Sequence, residues 1–209
     1  MQKAIVTVLL LLCLATGGII LYAKASRSEA PPSVASAGSA DGRPVPPVLE
    51  PGSTAPDFTL TSTAGQPIRM AELLKKGPLL LCFYKLECQT SAMAVPKFET
   101  FYKAYAGKEN FSIIGIVQNP ATQVAASLSE RGLTFPHAED PGYDVSRRYA
   151  IRSTPTLVLV GADGRVIARA GGWDREKTNQ ISETVAKTLG AQYEAISTAS
   201  DGLPAFRPG

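Results

Sequence analysis

The sequence predicts an α/β fold in which a mixed central β-sheet is flanked by helices on both faces. Two continuous apolar runs, residues 78–84 (PLLLCFY) and 111–117 (FSIIGIV), have the length and composition of strands buried on both faces. Helical spacing of apolar residues follows each run, and an Asp-Gly turn at 163–164 separates two later apolar strands. Alternating strands and helices that end in a hairpin and a closing helix are typical of this fold class.

The individual elements follow from periodicity and from turn residues. Helical spacing continues from Gln89 to Tyr105 in spite of Pro96. The last helix begins at Asp174, a suitable N-cap, and ends at Gly190. The predicted order is strand 57–61, strand 67–74, strand 78–84, helix 89–105, strand 111–117, helix 121–131, a short helical stretch at 145–149, strands 156–160 and 165–170, and helix 174–190.

The two ends of the chain differ in composition from the middle. Residues 4–23 carry no charge and are about as long as a helix that crosses a hydrocarbon core, so we expect residues 1–25 to form a membrane anchor. Small residues around Lys24 resemble a cleavage site, which leaves a cleaved signal peptide as the alternative. Residues 26–51, rich in Pro, Ser and Ala, are expected to be a disordered linker. The folded domain is predicted at 52–190, followed by a flexible tail at 191–209.

The N-terminal segment predicts an exported protein, and the composition argues against nucleic-acid binding and against a zinc site. Both interpretations of residues 4–23 export the domain: it is either anchored on the extracytoplasmic (periplasmic) side of the cell membrane or secreted after cleavage. Lys and Arg (21) only slightly outnumber Asp and Glu (18), so no surface for nucleic acid is expected. One histidine and three cysteines are too few for a protein-only zinc site, and no metal or other cofactor is predicted.

Cys88 is the candidate nucleophile. It falls where strand 78–84 gives way to helix 89–105, and the unpaired amides and the dipole at a helix start favour a thiolate. Position 91 is a serine, so the motif C-Q-T-S holds one sulfur where a dithiol site holds two. The Ser91 hydroxyl can hydrogen-bond a Cys88 thiolate.

Two prolines mark the surroundings of this cysteine. Pro96 interrupts an otherwise regular helix, which costs about 3 kcal/mol unless a kink is needed there. Pro155 follows Thr154 at the entry of an apolar strand, where an X-Pro bond is a candidate cis peptide.

Five segments with fixed spacing carry a family resemblance over most of residues 52–190. They are Ala55-Pro56-Asp57-Phe58-Thr59-Leu60, Leu79-Leu80-Leu81-Cys82-Phe83-Tyr84 leading to Cys88, Pro96, Ser153-Thr154-Pro155-Thr156, and Gly161-Ala162-Asp163-Gly164-Arg165. With this set the domain resembles the thioredoxin superfamily, and within it the membrane-tethered TlpA-like or redoxin (AhpC/TSA-type) branch.

The resemblance implies roles for particular residues. Cys88 would be the attacking thiol, with Pro155 beside it, and the backbone of Thr154 would pair with an extended substrate segment. Gln89 and Thr90, inside the active-site motif, are further candidates for substrate binding.

Three positions depart from the family pattern. Ser91 replaces the resolving cysteine, so an external thiol must resolve any mixed disulfide formed by Cys88. Glu87 stands where the family often has tryptophan. A carboxylate close to a thiol opposes its ionisation and Lys85 acts in the opposite direction, so the sequence leaves the sign of the net pKa shift open. Cys82 stands where thioredoxins place a buried acid, and is either a second thiol for Cys88 or a small core residue.

Three functions remain open at this point. The leading hypothesis is a thiol-disulfide oxidoreductase in which Cys88 forms mixed disulfides with cysteines of client proteins, resolved by an external thiol or redox partner. A thiol peroxidase would carry threonine and proline at the positions of Lys85 and Leu81, which argues against it. The third is a binding module that has kept the fold and lost redox turnover.

Other polar residues have structural alternatives. His137 has no Asp or Cys placed to orient it, which favours a surface or core position over catalysis. Gln118 and Asn119 follow a strand end, a position that faces the active site in many mixed sheets, so they either contact substrate or support the fold.

Overall fold

The computed structural model describes residues 46–105 and 108–209. The predicted anchor at residues 4–23 and most of the predicted linker lie outside these ranges. Within them, no helix has both the length and the apolar composition that a membrane crossing needs.

A seven-stranded mixed sheet forms the centre of the domain, and a separate two-stranded ribbon joins β8 to β9. The strands are β1 Thr59–Ser62, β2 Pro67–Arg69, β3 Leu79–Tyr84, β4 Ser112–Val117, β5 His137–Glu139, β6 Thr156–Val160, β7 Val166–Gly171, β8 Trp173–Asp174 and β9 Phe206–Arg207. The large sheet has the order β2-β1-β5-β4-β3-β6-β7. Strands β3, β4 and β5 run parallel, and the other neighbours are antiparallel.

Five α-helices and one short 3₁₀ helix occur in the described ranges. The α-helices are α1 Met70–Leu74, α2 Gln89–Tyr105, α3 Ala121–Glu130, α4 Asp144–Arg148 and α5 Arg175–Leu189, and the 3₁₀ helix is Ala199–Asp201. The predicted ends of the last helix are confirmed. Asp174 accepts a hydrogen bond from the Lys177 amide at its start, and Gly190 adopts a left-handed conformation at its end.

The core lies on both faces of β3, whose six residues are all buried. One face of the strand, with Leu80 and Cys82, packs in the cluster that includes Phe98 of α2 and Ile181 of α5. The opposite face packs in a second cluster that holds residues of α1 and α4. Side chains alternate across a strand, so a run that is apolar throughout needs cover on both sides. The predicted α/β class with helices on both faces is confirmed.

Several short elements differ from the sequence-based expectation, among them β8, β9 and the 3₁₀ helix, which were not predicted. The predicted strand 67–74 is a strand only to Arg69, after which Met70–Leu74 is helical. The segment MAELL consists of good helix formers, and its Met70 is buried, so helix propensity and packing agree there. The three-residue strand β5 was not predicted, because it is too short to show a period.

Residues 191–209 are not the flexible tail that was predicted, because part of this segment packs against α5. Ile196 is 1% exposed and belongs to the same core cluster as α5. Asn179 on α5 accepts hydrogen bonds from the Ile196 and Ser197 amides and donates to the Ser197 carbonyl. The polar composition of this segment concealed its order, because helix side chains satisfy its backbone groups without any regular element.

Candidate active site around Cys88

Cys88 lies at the start of α2, after a short turn that follows β3. Its carbonyl oxygen accepts a hydrogen bond from the Ala92 amide at 2.9 Å, and its sulfur accepts one from the Ser91 amide at 3.4 Å. The thiol therefore occupies the N-cap position, where an oxygen of Ser, Thr, Asp or Asn usually satisfies an amide. The half-buried sulfur thus lies at the positive end of a seventeen-residue helix.

The pKa of the Cys88 thiol is lowered from its ordinary value. Partial burial is the largest single influence and raises the pKa, because it disfavours the charged form. Hydrogen bonds from the side chains of Ser91 and Thr154 and from the amides of Ser91 and Thr90 together outweigh it. Ser91 thus supports the thiolate, although it cannot supply a second sulfur.

Ser91 is almost completely buried, with 1% of its surface exposed. Its hydroxyl oxygen also accepts a long hydrogen bond from the Lys85 amide at 3.5 Å. The residue therefore connects the turn after β3 to the first turn of α2, next to the Cys88 sulfur.

The loop before β6 brings Thr154 and Pro155 to the cysteine. The Thr154–Pro155 peptide bond is cis, as the sequence suggested. The Cys88 thiol donates a hydrogen bond to the Thr154 carbonyl oxygen at 3.0 Å. The two segments are 66 residues apart in the chain, so the fold alone creates this contact.

Gln89 and Thr90 face a segment that sequence analysis did not connect with the site. The Thr90 hydroxyl donates to the Pro208 carbonyl at 2.9 Å, and the Arg207 guanidinium donates to the Gln89 side-chain oxygen at 3.0 Å. All six predicted site residues therefore lie in one region, together with the end of the described chain. No sequence motif indicated that residues 206–209 would reach it.

Asn119 holds the turn that leads into Cys88. Its side-chain oxygen accepts from the Leu86 amide at 2.9 Å, and its amide group donates to the Glu87 carboxylate at 2.7 Å and to Gln123 at 3.2 Å. Asn119 is 2% exposed. Its position after β4 makes it a support for the site, and it also fixes the carboxylate of Glu87 in a hydrogen bond.

Two other residues considered from the sequence lie in the core. Cys82 is fully buried in β3, and burial raises the pKa of its thiol well above the ordinary value, which is the environment of a small apolar residue. Cys82 and Cys88 are both free thiols. His137 is 3% exposed, and its ring lies against Phe135 with 4.0 Å between ring centroids.

Comparison with solved structures places the domain among thioredoxin-like folds. A putative protein disulfide isomerase from Bacteroides thetaiotaomicron superposes with a TM-score of 0.64 at 23% identity, covering 68% of this chain and 92% of that chain. A putative thiol:disulfide interchange protein DsbE from Chlorobium tepidum gives a TM-score of 0.61 at 21% identity, covering 68% and 99%. At these identities the likeness concerns the fold.

Sequence comparison is more specific. Thiol-disulfide oxidoreductase ResA from Halalkalibacterium halodurans is 29% identical over 136 residues, which are 64% of this chain and 76% of that protein. The family model for AhpC/TSA matches residues 51–169, a range that holds all six predicted site residues. The chain therefore belongs to the AhpC/TSA family.

Proposed function

We propose that this protein is a thiol-disulfide oxidoreductase that works through the single reactive thiol of Cys88. The observation that carries the proposal is the position of this thiol, which caps α2 and lies 3.0 Å from the Thr154 carbonyl with a lowered pKa. The similarity to ResA proteins, which are named thiol-disulfide oxidoreductases, supports the same class of reaction.

The reaction has two exchange steps. The Cys88 thiolate attacks one sulfur of a client disulfide, a bond forms between the two sulfurs, and the other client sulfur leaves as a thiolate that takes a proton from water. A thiolate from an external partner then attacks the mixed disulfide at the client sulfur or at Cys88. Attack at the client sulfur frees the Cys88 thiolate and leaves a disulfide between client and partner. Attack at Cys88 frees the client thiolate, and a second thiolate of the partner then displaces Cys88, so that the partner leaves with a disulfide. Ser91, which has no sulfur, takes no part in the exchange.

The place of action is part of the proposal. The charge-free run at residues 4–23 supports a membrane anchor with the domain on the extracytoplasmic side. Fractionation of cells that express the tagged protein would test this. The anchored form remains with membranes after alkaline carbonate washing and is digested by external protease once the outer barrier is opened. A shorter soluble product would instead indicate signal cleavage, and a protease-resistant full-length protein would refute export.

Trapping of mixed disulfides tests the activity. Cells are quenched with acid, free thiols are alkylated, and proteins linked to this chain are identified after non-reducing separation. We expect client adducts with the native protein and none with Cys88→Ala, while Ser91→Ala retains most of them. Adducts that persist in Cys88→Ala would contradict the proposal, as would their absence from the native protein under all growth conditions.

Peroxide turnover distinguishes this activity from a thiol peroxidase. Lys85 and Leu81 occupy the positions at which peroxiredoxins carry threonine and proline. We therefore expect the purified protein with added thiol to consume hydrogen peroxide no faster than the Cys88→Ala variant. Rapid consumption that depends on Cys88 would replace the proposed function with peroxidase activity.

A further inference from the structure

The end of the described chain lies beside the candidate site, in contact with Gln89, Thr90 and Thr154. Strand β9 pairs antiparallel with β8, with Arg207 opposite Trp173 and Phe206 opposite Asp174. Beyond β9, Pro208 and Gly209 continue over the site. We call residues 206–209 the strap.

The strap lies against the residues that the family resemblance assigns to substrate binding. Thr90 donates to its Pro208 carbonyl, and its Arg207 guanidinium donates to Gln89. A β-carbon added to Gly209 would lie 2.3 Å from the Thr154 carbonyl oxygen and 2.7 Å from the Thr154 nitrogen. Only glycine approaches this closely, so the strap covers the Thr154 backbone, which the family resemblance assigns to an extended substrate segment.

A second glycine, Gly172, allows the backbone of the strap to approach closely at Arg207. Gly172, between β7 and β8, has a φ of 71°, and a β-carbon there would lie 2.8 Å from the Arg207 carbonyl oxygen. Gly172, Thr90 and Thr154 therefore border the path of the strap, and we call this path the channel.

The residues before the strap are firmly held, whereas the strap itself is exposed. The Trp173 indole donates to the Pro204 carbonyl at 2.7 Å, and the Arg175 amide donates to the Ala205 carbonyl at 2.9 Å. Lys97 pairs with Asp201 at 2.7 Å. All four strap residues are exposed, and Phe206 has 58% of its surface accessible. Few contacts oppose its release, while the anchored part keeps it close to the site.

We propose that the strap is an internal competitor for the client channel, so that a client peptide must displace it to reach Cys88. The channel then selects an extended segment that offers a backbone carbonyl to Thr90 and a small residue opposite Thr154. This proposal rests on the proposed function, because it concerns access of clients to the same thiol. A client peptide reacts with Cys88 only while the channel is open. The strap therefore lowers the rate of mixed-disulfide formation in proportion to the fraction of time that it fills the channel.

The test compares two kinds of disulfide with the full-length protein and two strap variants. Deletion of residues 206–209 keeps the carbonyls of Pro204 and Ala205 that hold Trp173 and Arg175. Arg207→Ala removes only the contact with Gln89, and is used if the deletion fails to fold. Arg165→Ala is the matched control, because this arginine donates to the Gly52 carbonyl instead.

The rate of mixed-disulfide formation is measured with an extended peptide disulfide and with a small aromatic disulfide. Without the strap we expect the peptide rate to rise roughly 5- to 30-fold, the factor for two net hydrogen bonds, with a much smaller rise for the small disulfide. Arg207→Ala should give an intermediate increase and Arg165→Ala none. Added peptide Ala-Phe-Arg-Pro-Gly should slow the deletion variant, whereas a scrambled peptide should not.

Two different failures are distinguishable. Equal peptide rates with and without the strap, while the small disulfide still reacts at Cys88, would overturn the strap proposal and leave the proposed function standing. No reaction of Cys88 with either disulfide in any variant would overturn both.

Discussion

Cys88 combines two features that the proposed capture of a client disulfide requires. Its sulfur accepts a hydrogen bond from the Ser91 amide as the cap of α2, and the same sulfur lies beside the Thr154 carbonyl. The first feature favours the thiolate, which is the form that attacks a disulfide. The second places the sulfur next to the backbone of Thr154, where the proposed client segment would bind. Neither feature needs a second thiol at position 91.

The Ser91→Ala variant tests how the thiolate is supported. The alanine removes the hydroxyl that hydrogen-bonds the ionised sulfur, while the amide of residue 91 remains, so the pKa of Cys88 should rise. In the native protein the alkylation rate should reach half of its maximum at a lower pH than in an unstructured cysteine peptide, because the pKa of Cys88 is lowered. The midpoint for Ser91→Ala should lie higher, and Ser129→Ala, on α3, serves as the control. Coincident profiles for the native protein and Ser91→Ala would contradict this role.

Secondary structure was predictable from the sequence where the elements are long or bear clear end signals. The buried run of β3, the helix α2 with its internal Pro96 and the capped helix α5 were all visible as patterns. The family motifs also indicated that Pro155 would lie beside Cys88, and the loop that holds Pro155 contacts the thiol through the Thr154 carbonyl. The strap and β5 were not predictable, because both are short and depend on partners distant in the chain.

The role of Asn119 could not be predicted from sequence patterns. Its location after β4 was compatible with substrate binding, yet its side chain accepts from the Leu86 amide and holds the turn before α2. Asn119→Ala would leave that amide without its acceptor in a partly buried site. We expect a loss of about 1–3 kcal/mol in the free energy of unfolding, measured with urea.

The control for this variant is Gln123→Ala. Gln123 is exposed, and its side-chain oxygen accepts from the amide group of Asn119 at 3.2 Å, so replacement of this side chain should change stability by no more than about 0.5 kcal/mol. Equal stability losses for the two variants would show that Asn119 does not hold the turn.

The domain as a whole keeps one histidine neutral in its interior. His137 is 3% exposed, and its Nε2 atom has no hydrogen-bond partner. Burial lowers the pKa of its imidazole to about 4. A backbone hydrogen bond at Phe135 and the charge of Glu99 raise this pKa, but by less than burial lowers it. The unfolded chain binds a proton at this residue below about pH 6.5, and the folded chain does not. The contribution of neutral His137 to the free energy of unfolding is therefore fully present above about pH 6.5 and is lost as the pH falls to about 4.

A pH series of unfolding experiments tests this linkage. Between pH 7 and pH 4 the native protein should lose about 3 kcal/mol through His137, in addition to losses from carboxylates. His137→Phe, which cannot take up a proton, should show a correspondingly smaller loss whatever its stability at pH 7. An identical pH dependence in the two proteins would contradict the account of a buried neutral imidazole.

The stoichiometry of reaction with an aromatic disulfide tests capture by one thiol most directly. The measurement uses full-length protein in which Cys13 is replaced by alanine, and it counts the aromatic thiolate released at Cys88. We predict one equivalent and a mixed disulfide that persists until an external thiol is added, because Ser91 cannot resolve it. In Ser91→Cys the new thiol should release a second equivalent and leave a disulfide between positions 88 and 91. Absence of reaction at Cys88, or release of a second equivalent by the protein that retains Ser91, would contradict the account.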